Sequence, residues 1–290
     1  MAASWRDLDL AAREREYSPS SAIGGDYQPF VQAYADRSWQ ARDQLTGHLS
    51  LRYGSSAAQA LDLFLPAEPS TAANAAAPPL LVFIHGGYWQ ELSKDDSLFA
   101  AADCVGQGIA FAALDYTLAP RVSIAEMVAE CRAALAWLQQ QAAVLGFDAG
   151  RIVVAGSSAG AHLAAMAAMP LAGCVPVARA TVLVSGIYEL EPLVGTSINA
   201  ALGLDAAAAR TLSPVLGDVR NFPPSIICWG EIETEEFKRQ SRAFAAKLDG
   251  ASTPVQTFEV PARNHFDVIL DLADAGTLLG RATIALIRSL

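Results

Sequence analysis

The sequence contains little of what metal or nucleotide chemistry needs. Its 290 residues include only four cysteines and four histidines, and these are scattered, without a C-x-x-C, an H-E-x-x-H or a close histidine pair. No G-x-x-x-x-G-K-[ST] string is present, and Gly106-Gln107-Gly108 lacks the third glycine of a dinucleotide-binding turn. These absences predict a protein whose chemistry uses neither a metal nor another cofactor.

Positive charge is also scarce. The chain has 20 Lys and Arg against 30 Asp and Glu, which gives a formal net charge of −10 at pH 7. Because this charge repels the phosphates of nucleic acids and of anionic membrane surfaces, we expect neither as a partner. Residues 1–10 contain Arg6, Asp7 and Asp9 and no apolar run typical of a secretory signal, so we expect a cytoplasmic protein with reduced thiols.

Long apolar runs are missing as well, although 52% of the residues are hydrophobic. The most apolar stretch, residues 155–186, is interrupted by His162, two prolines and Arg179, which is typical of a soluble core rather than a membrane span. A chain of this length and composition can bury a large core in one domain. We therefore predict a single domain over residues 1–290.

Strand and helix patterns alternate along most of the chain. Two edge strands at 49–53 and 60–65 and a surface loop at 66–79 come first. The alternating elements that follow are strands at 80–84, 109–114, 152–155, 181–184, 225–229 and 255–260, and helices near 97–105, 124–144, 159–168, 235–248 and the last residues before 290. This alternation predicts the α/β class, with a mostly parallel central sheet and helices on both faces. Ligands of such sheets bind beyond the carboxyl ends of the strands.

Ser158 lies at the centre of Gly156-Ser157-Ser158-Ala159-Gly160, between a predicted strand and a predicted helix. Strand, sharp turn and helix are the context of a nucleophile elbow, in which small flanking residues allow the turn to expose the serine hydroxyl. The pentapeptide alone is weak evidence, since small residues also surround serines in ordinary turns. We predict Ser158 as a nucleophile because three further features agree with it.

The first feature is His85-Gly86-Gly87, which follows the strand at 80–84. Glycines at such a turn let backbone N–H groups approach an oxygen that becomes negative during acyl transfer. We predict an oxyanion hole made by Gly86, Gly87 and Ala159, and we expect His85 to hold the loop rather than to act as a base. The alternative is a plain glycine turn at the end of a strand.

The other two features are a histidine and an acid that complete a catalytic triad. His265 follows the last strand, and Glu233 lies three residues past the glycine that ends the strand at 225–229. The order serine, acid, histidine is that of α/β-hydrolases, and the serine needs such a base and the base needs such a carboxylate. Glu231, Glu235 and Glu236 remain rival acids.

Four aromatic residues lie next to these positions in the sequence. Tyr88 and Trp89 follow the oxyanion glycines, Tyr188 follows the next strand, and Phe266 adjoins His265. We expect these rings to bind an aryl group of the substrate, with core packing as the alternative for each of them and above all for Trp89.

Six segments of the chain resemble the serine-dependent kynurenine formamidases (arylformamidases), which are α/β-hydrolases related to the hormone-sensitive-lipase branch of esterases. These segments are Tyr17-Ser18-Pro19-Ser20, His85-Gly86-Gly87-Tyr88-Trp89-Gln90, Asp115-Tyr116-Thr117-Leu118-Ala119-Pro120, Ser158-Ala159-Gly160-Ala161-His162-Leu163, Val184-Ser185-Gly186-Ile187-Tyr188-Glu189-Leu190-Glu191-Pro192 and Phe237-Lys238-Arg239-Gln240-Ser241. The resemblance covers nearly the whole chain. It implies Ser158, Glu233 and His265 as the triad and Gly86, Gly87 and Ala159 as the oxyanion donors. Two positions depart from the family pattern, which has Asp at the position of Glu233 and often His at that of Ser157.

The resemblance implies hydrolysis of a small acyl group on an aryl amide, such as the formyl group of N-formylkynurenine. A carboxylesterase of short-chain or aryl esters is the alternative, since the same residues could catalyse that reaction. A catalytically silent binding protein is a third reading, which the complete set of catalytic positions argues against. We expect a small-molecule substrate, no cofactor and no metal, and residues 1–48 and 187–224 as segments that cover the site. The oligomeric state stays open, with a homodimer among the alternatives.

Overall fold

Eight strands form one sheet in the computed structural model, which describes residues 5–67, 77–170 and 176–290. Their order across the sheet is β1-β2-β4-β3-β5-β6-β7-β8. The strands are β1 (Gly47–Arg52), β2 (Ala60–Phe64), β3 (Leu80–Ile84), β4 (Ala110–Leu114), β5 (Ile152–Ser157), β6 (Ala180–Val184), β7 (Ser225–Ile232) and β8 (Val255–Asn264). Among these eight strands, only the pairs β1–β2 and β2–β4 are antiparallel. The six strands β3 to β8 therefore all run in the same direction.

Nine α-helices surround this sheet within the described ranges. They are α1 (Leu10–Glu16), α2 (Gln28–Gln44), α3 (Ala101–Gly106), α4 (Ile124–Leu145), α5 (Ala159–Ala168), α6 (Asn199–Leu202), α7 (Ala206–Thr211), α8 (Glu235–Gly250) and α9 (Leu278–Arg288). None of the helices in the described part is long and apolar enough to cross a membrane.

The sheet has a hydrophobic core on each face. In β3, Leu80, Val82 and Ile84 belong to one core and Leu81 and Phe83 to the other, because successive side chains of a strand point to opposite faces. Helices α4, α5 and α8 pack on the first face, and α2, α3 and α9 on the second. The predicted fold, a mostly parallel sheet with helices on both faces, is confirmed.

Some predicted boundaries are wrong. The helix expected near 97–105 begins only at Ala101, after a 3-10 turn at Lys94–Asp96, and β7 and β8 continue three and four residues beyond their predicted ends. Of the loop predicted at 66–79, residues 68–76 lie outside the described residues. Residues 1–4, at the start of the segment predicted to be cap-like, also lie outside them.

Candidate active site

Ser158 occupies a sharp turn between β5 and α5. Its backbone has φ 56° and ψ −121°, a strained conformation for a residue with a side chain. A Cβ added at Gly160 would lie 2.1 Å from the carbonyl oxygen of Ile84, and one added at Gly156 would lie 2.3 Å from the oxygen of Gly160. The two glycines are therefore required by the close approach of neighbouring backbone, and they allow the turn that presents Ser158.

His265 and Glu233 meet at the end of the sheet. His265 directly follows β8, and its Nδ1 lies 2.9 Å from Oε2 of Glu233. The other carboxylate oxygen of Glu233 accepts hydrogen bonds from the hydroxyl of Ser185, at 2.5 Å, and from the backbone N–H of Gly230, at 2.6 Å. Both side chains are buried, and the three donors fix the carboxylate in one orientation.

The rival carboxylates point elsewhere. Glu231 is exposed and accepts a hydrogen bond from the N–H of Ala262, while Glu235 is exposed and faces Lys238 and Arg242. Glu236 is buried, but it binds the hydroxyl of Tyr17 at 2.5 Å and the guanidinium of Arg239. Of the four acids that the sequence offered, the structure brings only Glu233 to His265.

Glu233 directly follows an irregularity at the end of β7. The register between β7 and β8 shifts between Gly230 and Ile232, where the ladder has a bulge. Bulges re-aim the side chains that follow them and are frequent next to active sites. Glu233 follows this irregularity and reaches His265, although its side chain is one methylene longer than that of aspartate.

The predicted oxyanion donors border the elbow. Gly86 lies against it, since a Cβ there would be 2.9 Å from the carbonyl oxygen of Ser157 and 3.3 Å from Cβ of Ser158. Gly87 has φ 85°, a left-handed conformation that suits glycine. Ala159 is the first residue of α5, and the first N–H groups of a helix have no partner within it.

His85 lies beneath this loop and is fully buried. Its ring stacks on Tyr116 with 4.4 Å between centroids, and its Nδ1 lies 3.1 Å from the carbonyl oxygen of Gly86. The hydroxyl of Tyr116 donates to the carbonyl oxygen of His85 at 3.1 Å. These contacts support the loop on which Gly86 and Gly87 lie.

Ser158 and His265 line one cavity of about 460 Å³. Gly86, Gly87 and Tyr88 contribute to its wall, and so does Phe266. Since Nδ1 of His265 contacts Glu233, Nε2 is the ring nitrogen that this carboxylate leaves unengaged.

Two of the four predicted aromatic contacts need correction. Trp89 and Tyr188 are fully buried and do not belong to the cavity wall. Trp89 packs edge-on against His162, with 5.2 Å between centroids, and Tyr188 stacks on Phe244 at 4.6 Å. Both rings point into the core beneath α5 and α8. Proximity in sequence to an active-site loop does not determine which way a ring points.

Sequence reasoning missed the individual residues that the N-terminal segment contributes. Tyr17, Tyr27 and Tyr34 line the cavity, together with Ser197 and Ile198 from the stretch between β6 and β7. The hydroxyl of Tyr88 donates to the carbonyl oxygen of Tyr17. Tyr17 belongs to the segment Tyr17-Ser18-Pro19-Ser20 that carries the family resemblance, and this segment could have drawn attention to it. No motif marks Tyr27 or Tyr34.

A kynurenine formamidase of Danio rerio is 30% identical to the chain over 297 residues, and the match covers 98% of each protein. The chain belongs to the kynurenine formamidase family. The resemblance found in the sequence is thereby confirmed.

The chain is also similar to esterases and to a thioesterase. A family model described as BD-FAE matches residues 61–172. A carboxylesterase of Mycobacterium tuberculosis is 29% identical over 73% of the chain and 74% of its own length. The crystal structure of a Silicibacter protein described as a thioesterase superposes with a TM-score of 0.80 at 29% identity, covering 94% of this chain and 97% of that one.

His162 and three of the cysteines are buried in the interior of the protein. His162, in α5, is fully buried and its Nε2 lies 2.7 Å from the carbonyl oxygen of Leu212; burial lowers its pKa from 6.5 to about 4. Three free cysteines, Cys104, Cys131 and Cys228, are buried, which raises the pKa of each thiol, and Cys174 lies outside the described residues. In the described ranges, no group of three His, Cys, Asp or Glu residues could hold a metal ion.

Proposed function

We propose that this family member hydrolyses N-formyl aryl amides of the N-formylkynurenine type. The observation that carries the proposal is the 2.9 Å contact between His265 and Glu233 beside the Ser158 elbow, with Ser158 and His265 on one cavity. These are the parts that nucleophilic acyl transfer requires. The relative in Danio rerio, which bears the name kynurenine formamidase, supports the choice of acyl group and leaving group.

In the first step, Oγ of Ser158 attacks the formyl carbon while Nε2 of His265 takes the hydroxyl proton. Glu233 holds the imidazole in the tautomer with a proton on Nδ1 and stabilises the imidazolium that forms. The formyl oxygen becomes negative, and the N–H groups of Gly86, Gly87 and Ala159 stabilise it. Loss of one such donor typically costs about 2.7–4 kcal/mol of barrier lowering.

In the second step, the bond between the formyl carbon and the aryl nitrogen breaks. Nε2 of His265 gives its proton to that nitrogen, so the amine leaves neutral and a formyl ester remains on Ser158. Water then attacks the ester carbon as His265 takes a proton from it. The ester bond breaks as His265 returns this proton to Oγ of Ser158, and formic acid departs, losing its own proton to solvent to give formate.

Ester hydrolysis is the second candidate activity, because the Mycobacterium tuberculosis relative is named a carboxylesterase. The same residues would perform the same two steps, with an alcohol or phenol in place of the amine. An amide leaving group differs in needing protonation before it departs, so it depends more strongly on His265.

The activity is tested by comparing kcat/KM for N-formylkynurenine with kcat/KM for phenyl acetate. We expect the formamide to have the higher value, with both activities lost in the Ser158→Ala variant. Turnover of phenyl acetate alone would leave the esterase as the function. Activity that persists in Ser158→Ala would remove the proposal altogether.

We further propose that residues 1–48 and 187–224 cover the site within one domain. Tyr17 and Tyr34 from the first segment and Ser197 from the second lie in the cavity wall, which supports this arrangement. We expect a cytoplasmic protein with a small-molecule substrate and no nucleic-acid partner, in agreement with the buried free thiols and the net charge of −10.

A further inference from the structure

Four polar residues of the cavity wall come from the two segments outside the alternation of strands and helices. Glu14, Ser18 and Ser20 belong to the N-terminal segment, and Ser197 belongs to the stretch between β6 and β7. The proposed reaction uses none of these side chains, because its bonds form and break elsewhere in the cavity. Their place in the wall therefore points to a part of the substrate away from the formyl group.

Glu14 presents a carboxylate that neutral donors hold in place. Its oxygens accept hydrogen bonds from the backbone N–H of Ser197 at 2.6 Å and from the hydroxyl of the same residue at 2.7 Å. Within the described ranges, no ion pair joins Glu14 to a basic residue, and the neighbouring Arg13 donates to the carbonyl oxygens of Pro192 and Val194. Because a carboxylate has about four acceptor sites, Glu14 can still accept hydrogen bonds from an ammonium group.

Ser18 and Ser20 present a pair of hydroxyl groups. Their Oγ atoms are 3.2 Å apart, so one hydroxyl donates to the other, and the pair has no other hydrogen-bond acceptor among the described residues. One hydroxyl proton is thus available to a ligand. When a carboxylate is present, both hydroxyls can donate to it, because a hydroxyl rotates to suit its acceptor and a carboxylate accepts at both oxygens.

The rest of the wall offers no comparable combination of donors and acceptors. Neither lysine nor arginine is among the described residues that line the cavity, so a carboxylate there depends on neutral donors. The two other carboxylates of the wall are those of Glu91 and Asp96. The hydroxyl of Ser97, beside Asp96, already donates to the carbonyl oxygen of Ser93 at 2.7 Å. Glu14 is therefore the wall carboxylate with available hydroxyl donors close to it in the chain.

Two contacts connect these residues to the loop that carries the proposed oxyanion glycines. The hydroxyl of Tyr88 donates to the carbonyl oxygen of Tyr17, which directly precedes Ser18. Nε2 of Gln90 lies 3.3 Å from the carbonyl oxygen of Ile198, which adjoins the serine that binds Glu14. A substrate whose formyl group lies against this loop can therefore extend its side chain to the polar residues.

We infer that Glu14, Ser18 and Ser20 form a subsite for an α-amino-acid group on the substrate, in which Glu14 receives the ammonium and the two serines receive the carboxylate. An α-amino acid carries both charges on one carbon, so it needs an acceptor and donors side by side. Because such a group has no net charge, the negative wall does not repel it as a whole. This inference rests on the proposed function and specifies its substrate class as aryl formamides that carry an amino acid.

The test uses four aryl formamides that share the formyl group, the ring and the ketone of N-formylkynurenine. Their side chains end in the α-amino acid, in an amine alone, in a carboxylate alone or in a methyl group. We expect the amino-acid substrate to have a kcat/KM about tenfold above that of the methyl compound, because hydrogen bonds to charged groups are the stronger ones. The difference should lie mainly in KM, since the subsite does not touch the reacting atoms.

Variants assign each charge to its partner. Glu14→Gln should lower the amine-to-methyl ratio of kcat/KM about three- to tenfold, and Ser18→Ala combined with Ser20→Ala should do the same to the carboxylate-to-methyl ratio. Glu91→Gln is the matched control, since it removes the same charge from the same wall at another position, and it should leave both ratios unchanged. A ratio of two substrates does not depend on the fraction of folded enzyme, so a destabilised variant still gives a valid result.

An amino-acid substrate that the wild type turns over no better than the methyl compound would overturn the inference. It would also be overturned by an amine-to-methyl ratio that survives Glu14→Gln, or by one that falls equally in Glu91→Gln. If the wild type hydrolyses none of the four formamides, the proposed function fails instead. Phenyl acetates with the same four side-chain ends would then decide the subsite separately.

Discussion

Glu233 makes three hydrogen bonds just past the end of β7. One of its oxygens binds the hydroxyl of Ser185 and the N–H of Gly230, and the other faces Nδ1 of His265. All of these partners are donors, which suits an ionised carboxylate that has acceptors only. These contacts support the proposal that Glu233 orients the imidazole and balances its charge.

Glu233→Gln should lower kcat by about 10³–10⁴, by analogy with the loss of the triad acid in a serine protease. Glutamine keeps the size of the side chain, but its N–H₂ group would have to face a hydrogen-bond donor. An N–H₂ group that faces Nδ1 of His265 favours the tautomer with the proton on Nε2 instead of Nδ1. Steady-state kinetics on an aryl formamide measures the effect. The exposed Glu231→Gln serves as the matched control, and a loss of the same size in that variant would contradict the assignment.

At the scale of single residues, the sequence predicts positions that follow from chain order. It does not predict positions that depend on the direction of a side chain. Ser158, Glu233 and His265, the proposed triad, could be selected because each follows a strand whose carboxyl end lies at the same edge of the sheet. Trp89 and Tyr188 also follow strands, yet their rings turn into the core. The direction is set by packing with α5 and α8, which no local pattern encodes.

Helix α2 holds the loop that carries His265. The ring of Phe266 stacks on Tyr27 and Phe30, with centroids 5.4 and 5.9 Å away, and its carbonyl oxygen accepts a hydrogen bond from the hydroxyl of Tyr34. Since Phe266 directly follows His265, movement of α2 would move the base. The N-terminal segment thus supports the site as well as lining it.

Tyr34→Phe should lower kcat several-fold and destabilise the protein by about 1 kcal/mol, since the carbonyl oxygen of Phe266 loses its donor. We expect the larger change in kcat rather than in KM, with an altered pH–rate profile, because the hydroxyl positions His265. Kinetics across pH and thermal unfolding measure these effects. Tyr27→Phe retains the stacked ring and is the control; equal changes in both variants would assign the effect to the helix surface in general.

Helix α5 is joined to the stretch between β6 and β7 by a neutral histidine. Burial lowers the pKa of His162 to about 4, so between pH 6.5 and 4 the unfolded chain binds more protons than the folded one. Stability is therefore full above pH 6.5 and falls as the pH decreases through this window. The loss should reach about 2–3 kcal/mol at pH 4.5.

His162→Gln keeps a donor for the carbonyl oxygen of Leu212 but cannot be protonated. Urea unfolding at pH 7 and pH 4.5 should show a smaller loss of stability in the variant than in the wild type. Identical losses in the two proteins would show that His162 does not cause the acid sensitivity.

Strands and helices could be predicted where apolar residues form a continuous run or recur at a regular spacing. Each of the eight strands lies within a few residues of its predicted range. The six parallel strands could be predicted because buried parallel strands are short, continuous apolar runs between helices. The ends of β7 and β8 could not be predicted, since their extra residues pair with each other across a bulge. The short helices between β6 and β7 have too few residues for a periodic pattern.

At the scale of the whole molecule, the sheet brings Ser158, Glu233 and His265, the proposed triad, to the ends of strands that are far apart in sequence. The parallel sheet makes this possible, since β3, β5, β7 and β8 all end at one edge. Segments outside the sheet contribute residues such as Tyr17 and Ser197 to the cavity wall. Their sequence signal is weak, which explains why the cavity wall was the least predictable part.

We expect activity to survive exhaustive EDTA treatment. The proposed steps use side chains and backbone N–H groups, and the described residues offer no cluster of three metal ligands. Kinetics before and after chelation measures this. Activity that is lost to EDTA and restored by Zn²⁺ or Mn²⁺ would contradict the mechanism.

The central claim is that Ser158 is the nucleophile that cleaves aryl formamides. The most direct measurement is peptide mass spectrometry after graded reaction with a fluorophosphonate, with the rate of formate release followed in parallel. We predict that the adduct forms on Ser158 and that activity falls in proportion to the labelled fraction, reaching zero at one label per chain. Labelling of Ser157 or another residue, or formate release that continues at full occupancy of Ser158, would contradict the account.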